Sequence, residues 1–151
     1  MKVREANIDD SNEIFEWRND PITRQMSFNS NVVNYTTHKK WFKKSLHNTN
    51  RYLLIVEKKG RKISVVRFDI EEEKNSAEIS INLNPLERGK RLSSAVLFKS
   101  ISYFNIINDK KIKTIIAKIK KKNIASKRSF IKCGFKLDLI KGNTEIYNFV
   151  F

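Results

Sequence analysis

The chain has 151 residues, enough for one domain with a buried core, and its 40% hydrophobic content is too high for a disordered segment. A single cysteine excludes an internal disulfide, and no apolar run reaches membrane-spanning length. Against 16 Asp and Glu stand 31 Lys and Arg, a formal net charge of +15 that admits a nucleic acid, an anionic lipid surface or an anionic small molecule as partner.

Lys2–Ile8 reads as a first strand with Val3, Ala6 and Ile8 on one face. Asp10 followed three residues later by Glu13 has capping-box spacing and predicts a short helix that stops before Pro21. Residues 22–36, polar around Met26, Phe28 and Tyr35, read as an ordered loop. Thr36 and Thr37 cap a second helix running to about His47, in which His38, Trp41, Phe42, Ser45 and Leu46 share one face. Arg51–Glu57 and Lys62–Ile70 are β-rich and flank Lys58-Lys59-Gly60-Arg61, which predicts a hairpin. Ala77–Leu83 alternates, with Ile79, Ile81 and Leu83 opposed to Glu78, Ser80 and Asn82. An amphipathic helix after the 88–91 loop runs to about Ile107. It is followed by a strand at Lys113–Ile119, a helix at Ile124–Cys133 and closing strands at Phe135–Ile140 and Glu145–Phe151. The order is β-α-α-β-β-β-α-β-α-β-β, with no internal repeat, and predicts one domain over residues 1–151.

Two segments carry chemistry. In Asn84–Ser93 a strand runs through Pro85 into Arg88-Gly89-Lys90-Arg91 and then a helix N-terminus. A helix start leaves backbone N–H groups unpaired at the positive end of its dipole, which suits a phosphate or pyrophosphate. Arg88, Lys90 and Arg91 add charge. The second segment, Asn123 through Phe135, reads as a capped helix closed by Gly134.

Taken together and in this order, Arg88-Gly89 followed by Asn123-x-x-Ser126 and Gly134-Phe135 resembles the GNAT superfamily of acetyl-CoA-dependent N-acetyltransferases. The resemblance spans essentially the whole chain. It implies an α/β (α+β) fold with a mixed, mostly antiparallel sheet of about seven strands and four helices on both faces. Trp17-Arg18-Asn19-Asp20-Pro21, Ser27-Phe28-Asn29-Ser30, His38-x-x-Trp41-Phe42, Val66-Arg67-Phe68-Asp69 and Ala77-Glu78-Ile79-Ser80-Ile81 are similar, more narrowly, to the branch that acetylates nucleotide-linked amino sugars in pseudaminic- and legionaminic-type surface-sugar pathways. The sequence departs from the family where a coenzyme-loop glycine and a glycine or alanine become Arg91 and Ser93, and where a tyrosine acid becomes Phe130.

The resemblance implies acetyl-CoA as cosubstrate, held by Ile81, Leu83, Arg88, Gly89, Lys90, Arg91, Leu92, Ser93, Asn123 and Ser126. It places a proton acceptor for the attacking amine at Glu78, with His38 as second candidate, and a thiolate acid at Tyr147. Arg18, Asn19, Phe28, Trp41 and Arg67 are the expected contacts of a UDP-linked amino sugar. The alternatives are a ribosomal-protein-type N-terminal acetyltransferase, a fold that binds CoA without catalysis, and a nucleic-acid-binding module with Lys110, Lys111, Lys118, Lys120, Lys121, Lys122, Lys127 and Arg128 as its footprint. No known nucleic-acid motif accompanies those lysines. His38 and His47 lack metal-ligand spacing, so no metal is expected, and Cys133 reads as a small packed residue. No apolar run follows Met1-Lys2-Val3-Arg4-Glu5, so no signal peptide is expected, and the cytoplasm is the expected location. A homodimer is left open.

Overall fold

A computed structural model describes residues 1–151. The strands are β1 (Lys2–Glu5), β2 (Arg51–Lys58), β3 (Arg61–Glu71), β4 (Ser76–Leu83), β5 (Thr114–Lys120), β6 (Lys136–Lys141) and β7 (Thr144–Val150). They form one seven-stranded sheet in the order β1-β2-β3-β4-β5-β7-β6. Every pairing is antiparallel except β4 with β5. The helices are α1 (Ser11–Asn19), α2 (Pro21–Met26), α3 (Tyr35–Leu46), α4 (Ser93–Ile107) and α5 (Ile124–Lys132).

Local chemistry explains most boundaries. The β2–β3 hairpin turns on Lys59 and Gly60, whose φ angles of 50° and 75° match the right-handed twist of the paired strands. Asn34, ahead of the expected threonines, caps α3 by accepting from the Thr37 N–H. The capping box lies one turn earlier than expected: Asn7 is the cap and Asp10 its partner. Asp10 is buried, pairs with Arg4 and Lys62, and gives α1 no side-chain cap.

The expected loop at 22–36 starts instead with a fifth helix, α2. Asp20 accepts from the Thr23 N–H and Pro21 occupies the first turn, where a missing N–H costs nothing. At six residues the helix is too short to show a periodicity.

The two faces of the sheet are filled differently. Leu54, Val66, Phe68, Ala77, Ile79, Ile115 and Ala117 join α4 and α5 residues in a core of 20 buried residues, with Phe68 stacked on Phe104 at 4.2 Å. Leu53, Ile55 and Val65 on the other face meet Ile14, Trp17 and Phe42 of α1 and α3 in a cluster of only six. Beside that small cluster the second face carries polar residues.

One irregularity places the site. The β4–β5 ladder has three pairs and ends at Glu78–Ile116. Beyond it β4 stays paired to β3 as far as Leu83, and β5 to β7 as far as Lys120. The strands therefore fork, and the facing backbone edges of 79–83 and 117–120 lack a ladder. At a strand's rise the fork is roughly 16 Å deep.

Candidate active site

At the open end of the fork the chain leaves β4, makes the turn Pro85–Glu87 and enters α4. Gly89 has φ +74° and Arg91 φ +56°. Arg91 thus holds a left-handed conformation that glycine adopts without strain, so the loop keeps its shape despite the substitution. The N-cap of α4, Leu92, offers no side-chain acceptor, and no acidic residue lies in the first turn. The N–H groups around Ser93 and Ser94 are left for an anion at the end of a 15-residue helix. Fork, loop and helix end fit an extended ligand that finishes in a phosphate.

Two of the three expected phosphate side chains are engaged elsewhere. Arg88 donates from Nη2 to Asp20 Oδ2 at 2.5 Å and to Thr23 Oγ1 at 2.6 Å. Lys90 Nζ donates to Glu87 Oε2 at 3.0 Å. Arg91 is exposed and free of ion pairs. With these two side chains held by carboxylates, backbone N–H groups and Arg91 are what the loop offers.

Glu78, on the last ladder pair, stands at the apex of the fork on the face away from α4. Its carboxylate accepts Lys118 at 2.9 Å, and its side chain is 37% exposed. Cross-strand partners put Asp69 beside Glu78, Arg67 beside Ser80 and Val65 beside Asn82. Three guanidinia gather on this face. Burial first, then Arg24 and Arg67, push the Arg18 guanidinium below its ordinary value. Arg18 Nη1 is buried with no partner. Arg67 Nε lies 2.9 Å from Asp69 Oδ2 but lacks the alignment of a hydrogen bond. Buried donors without acceptors cost free energy and mark where an anionic ligand fits.

The other expected contacts divide. Trp41 lies between the guanidinia of Arg51 and Arg67, at 5.5 and 5.9 Å from its ring. Phe28 is 57% exposed on the loop after α2. Arg18 Nη2 and Arg24 Nη1 hold that loop by the carbonyls of Asn29 and Ser30. Asn19 is committed to the backbone of Val33 through both ends of its amide. It shapes the loop rather than reaching a ligand.

His38 is displaced from the chemistry. It is buried in α3, stacked on Phe42, with Nε2 2.9 Å from the Ser11 carbonyl. A carbonyl only accepts, so that nitrogen carries a proton, and burial lowers the pKa of the ring. The residue is a packed histidine, not a base.

Tyr147 faces Ala117, the first β5 residue past the apex, on the α4 side. It is buried, and burial followed by Glu145 raises its pKa, so the phenol stays protonated. Phe130 is buried against Phe135 at 4.9 Å. Asn123 caps α5 by accepting from the Ser126 N–H at 3.2 Å. Cys133 is half-buried with Sγ 3.2 Å from the Ser94 carbonyl, and burial pushes its thiol up, which suits packing rather than nucleophilic attack.

The lysine footprint also disperses. Lys118 binds Glu78, Lys127 binds Glu145 on the opposite face, Lys120 binds the Gln25 carbonyl, and Lys110 binds Glu72 and Asn50. Sequence reasoning missed Arg24, Ser80 and Asn82, and read Lys118 and Lys120 only as part of a nucleic-acid footprint. The alternation of Ala77–Leu83 already put Ser80 and Asn82 with Glu78; the lysines needed the fork.

The family model for the acetyltransferase (GNAT) domain matches residues 1–136. No curated protein matches the sequence. Among solved structures, the spermidine N-acetyltransferase from Vibrio cholerae in complex with CoA and spermine superposes with a TM-score of 0.86 at 18% identity, over 99% of this chain and 94% of that one. A ribosomal-protein-alanine N-acetyltransferase from Brucella melitensis gives 0.81 at 17% identity over 100% of both chains. A domain from Methanocaldococcus jannaschii gives 0.80 at 20%, over 99% and 97%. At such identities the likeness carries the fold and not the substrate.

Proposed function

The chain belongs to the GNAT acetyltransferase family and is an acetyl-CoA-dependent N-acetyltransferase, and from that premise we propose that its acceptor is the amine of a nucleotide-linked amino sugar. The observation that carries this reading is the basic floor on the Glu78 face: Arg18 lies near Arg24 and Arg67, Arg18 Nη1 is buried with no partner, and Arg67 Nε meets Asp69 without the alignment of a hydrogen bond. A diphosphate supplies what those donors lack. A polyamine brings more positive charge to the same floor, so spermidine is disfavoured here even though the Vibrio cholerae relative binds spermine.

The bound acetyl-CoA supplies the acyl carbon as a thioester. The fork edges at Ile81, Leu83 and Lys118 offer backbone groups to hold its arm, and an N–H aimed at the carbonyl oxygen stabilises negative charge developing there. The backbone of Gly89–Ser93 and the start of α4 hold the pyrophosphate. Only a neutral amine attacks, and Glu78 takes its proton directly or through one water. Lys118 orients that carboxylate. Tyr147, protonated and next to the fork, or solvent returns a proton to the leaving sulfur. Phe28 and Trp41 line the acceptor side, and Asn123 and Ser126 set the α5 end near the coenzyme.

The test is thiol release from acetyl-CoA with a UDP-4-amino sugar, spermidine and a ribosomal-protein amino-terminal peptide compared side by side. Turnover with the UDP-amino sugar above the other two upholds the reading. Preference for spermidine overturns the anionic acceptor. Preference for the peptide establishes the ribosomal-protein alternative.

A further inference from the structure

The side chain of Arg88 reaches α2. Its guanidinium reaches Asp20, the cap of α2, and Thr23, one turn in, 68 and 65 positions back along the chain. Asp20 is held ionised by the hydrogen bond from Arg88, which outweighs its burial. The same short helix touches both prongs of the fork. Thr23 Oγ1 donates to Asn82 Oδ1 on β4 at 3.3 Å, and Lys120 of β5 donates to the Gln25 carbonyl at 3.2 Å. From the end of α2 the chain continues into the loop carrying Phe28, whose carbonyls at Asn29 and Ser30 are gripped by Arg18 and Arg24. A helix of six residues has little stability of its own, so its place depends on these ties.

We propose that Arg88 is a positioning residue for the acceptor, acting through Asp20 and Thr23 to pin α2 across the fork, rather than a side-chain ligand of the coenzyme pyrophosphate. The proposal rests on the acceptor entering beside Glu78, as set out above. Freed from Arg88, α2 loses its tie to the loop before α4, and Arg24 on the helix and Arg18, tied to the loop that follows it, lose their register on the acceptor. The pyrophosphate contacts, made by backbone and Arg91, stay.

Two measurements on Arg88→Gln and Asp20→Asn decide it. Asn keeps the N-cap while removing the charge, so this variant tests the ion pair without unwinding the helix. The first measurement is calorimetric binding of CoA alone, which needs no acceptor. The second is the KM of the UDP-4-amino sugar at saturating acetyl-CoA. The expected result is a CoA Kd within twofold of the parent for both variants and an acceptor KM raised about tenfold in each. The double variant should be no worse than either single, since both break one pair. Arg88→Lys should recover part of the loss. A CoA Kd weakened tenfold in Arg88→Gln but not in Asp20→Asn makes Arg88 a phosphate ligand and overturns the proposal. An unchanged acceptor KM in both variants overturns it as well. If the parent turns over no UDP-amino sugar, the substrate reading fails; the KM is then measured with whichever amine of the panel is used, and the CoA measurement stands by itself.

Discussion

The two faces of the sheet are built on opposite rules. The α4–α5 face is a closed apolar core of 20 buried residues in which stacked and edge-on phenylalanines exclude water. The α1–α3 face has a cluster of six, and beyond it Asp69, Glu78, Ser80, Asn82, Arg67, Lys118 and the guanidinia of α1 and α2 stay polar or unpartnered. The first face supplies rigidity to the fork. The second keeps buried donors without a hydrogen bond, which under the proposed function the acceptor completes. Stability and recognition are thereby carried by residues on alternate positions of the same strands.

That contrast can be broken from either side. The largest effect belongs to the core face: Phe104→Ala removes the ring stacked on Phe68 and should cost about 3–5 kcal/mol in chemical denaturation. A loss below 1 kcal/mol means the two faces are not so different. On the polar face, Glu78→Gln should leave the melting temperature and CoA affinity near the parent values while kcat/KM falls about 10²-fold or more. A change of less than threefold removes Glu78 as the base.

Asp10 sharpens the comparison, because it is a buried charge on the polar face that is fully satisfied. Burial raises its pKa, but hydrogen bonds from Arg4, the Asn7 backbone and Lys62 outweigh this and hold the carboxyl at about 2, against 3.8 ordinarily. A depressed carboxyl contributes stability that is complete above its unfolded pKa and is lost as pH falls through the folded one. Roughly 2 kcal/mol should therefore disappear between about pH 5 and pH 2, and Asp10→Asn should flatten that limb of the acid-denaturation curve. Arg67→Gln is expected to raise the acceptor KM about tenfold, or ~1.4 kcal/mol, with CoA affinity unchanged. Its turnover of spermidine should improve rather than fall. The smallest effects lie in the loop between β4 and α4. A Cβ on Gly89 meets nothing within 4 Å, so Gly89→Ala costs only the left-handed backbone, about 1 kcal/mol of loop stability read as weaker CoA binding. Arg91→Gly should relieve a similar strain at φ +56° and raise the melting temperature by about 2–4 °C.

Most of the architecture was legible in the chain. The Lys59-Gly60 hairpin, the alternation of Ala77–Leu83, the breakpoint at Pro85 and the Asn123 cap all depend on neighbours two to four residues away, which a linear pattern displays. The seven-stranded sheet and the place of Glu78 on β4 follow from their order, whereas the fork appears only in the pairing of β4 with β5. The polar assignments were less legible. Arg88 and Lys90 read as phosphate ligands because they are basic and next to a helix start, but Asp20 and Glu87 claim them. His38 read as a base because its intrinsic pKa suits the task, but the Ser11 carbonyl and three aromatic rings enclose it.

The sequence by itself determined the family, the order of elements, the core stripe of each strand and the Glu78 side of β4. Those are properties of local periodicity and burial, and burial of apolar surface tolerates many partners. Tertiary structure alone decided that α2 exists and bridges both prongs, which arginines are free, and which buried donors lack a partner. Ion pairs and hydrogen bonds are directional and short, and each donor is settled by whichever acceptor the fold brings within about 3 Å. For Arg88 that acceptor lies 68 positions away, beyond the reach of any local pattern.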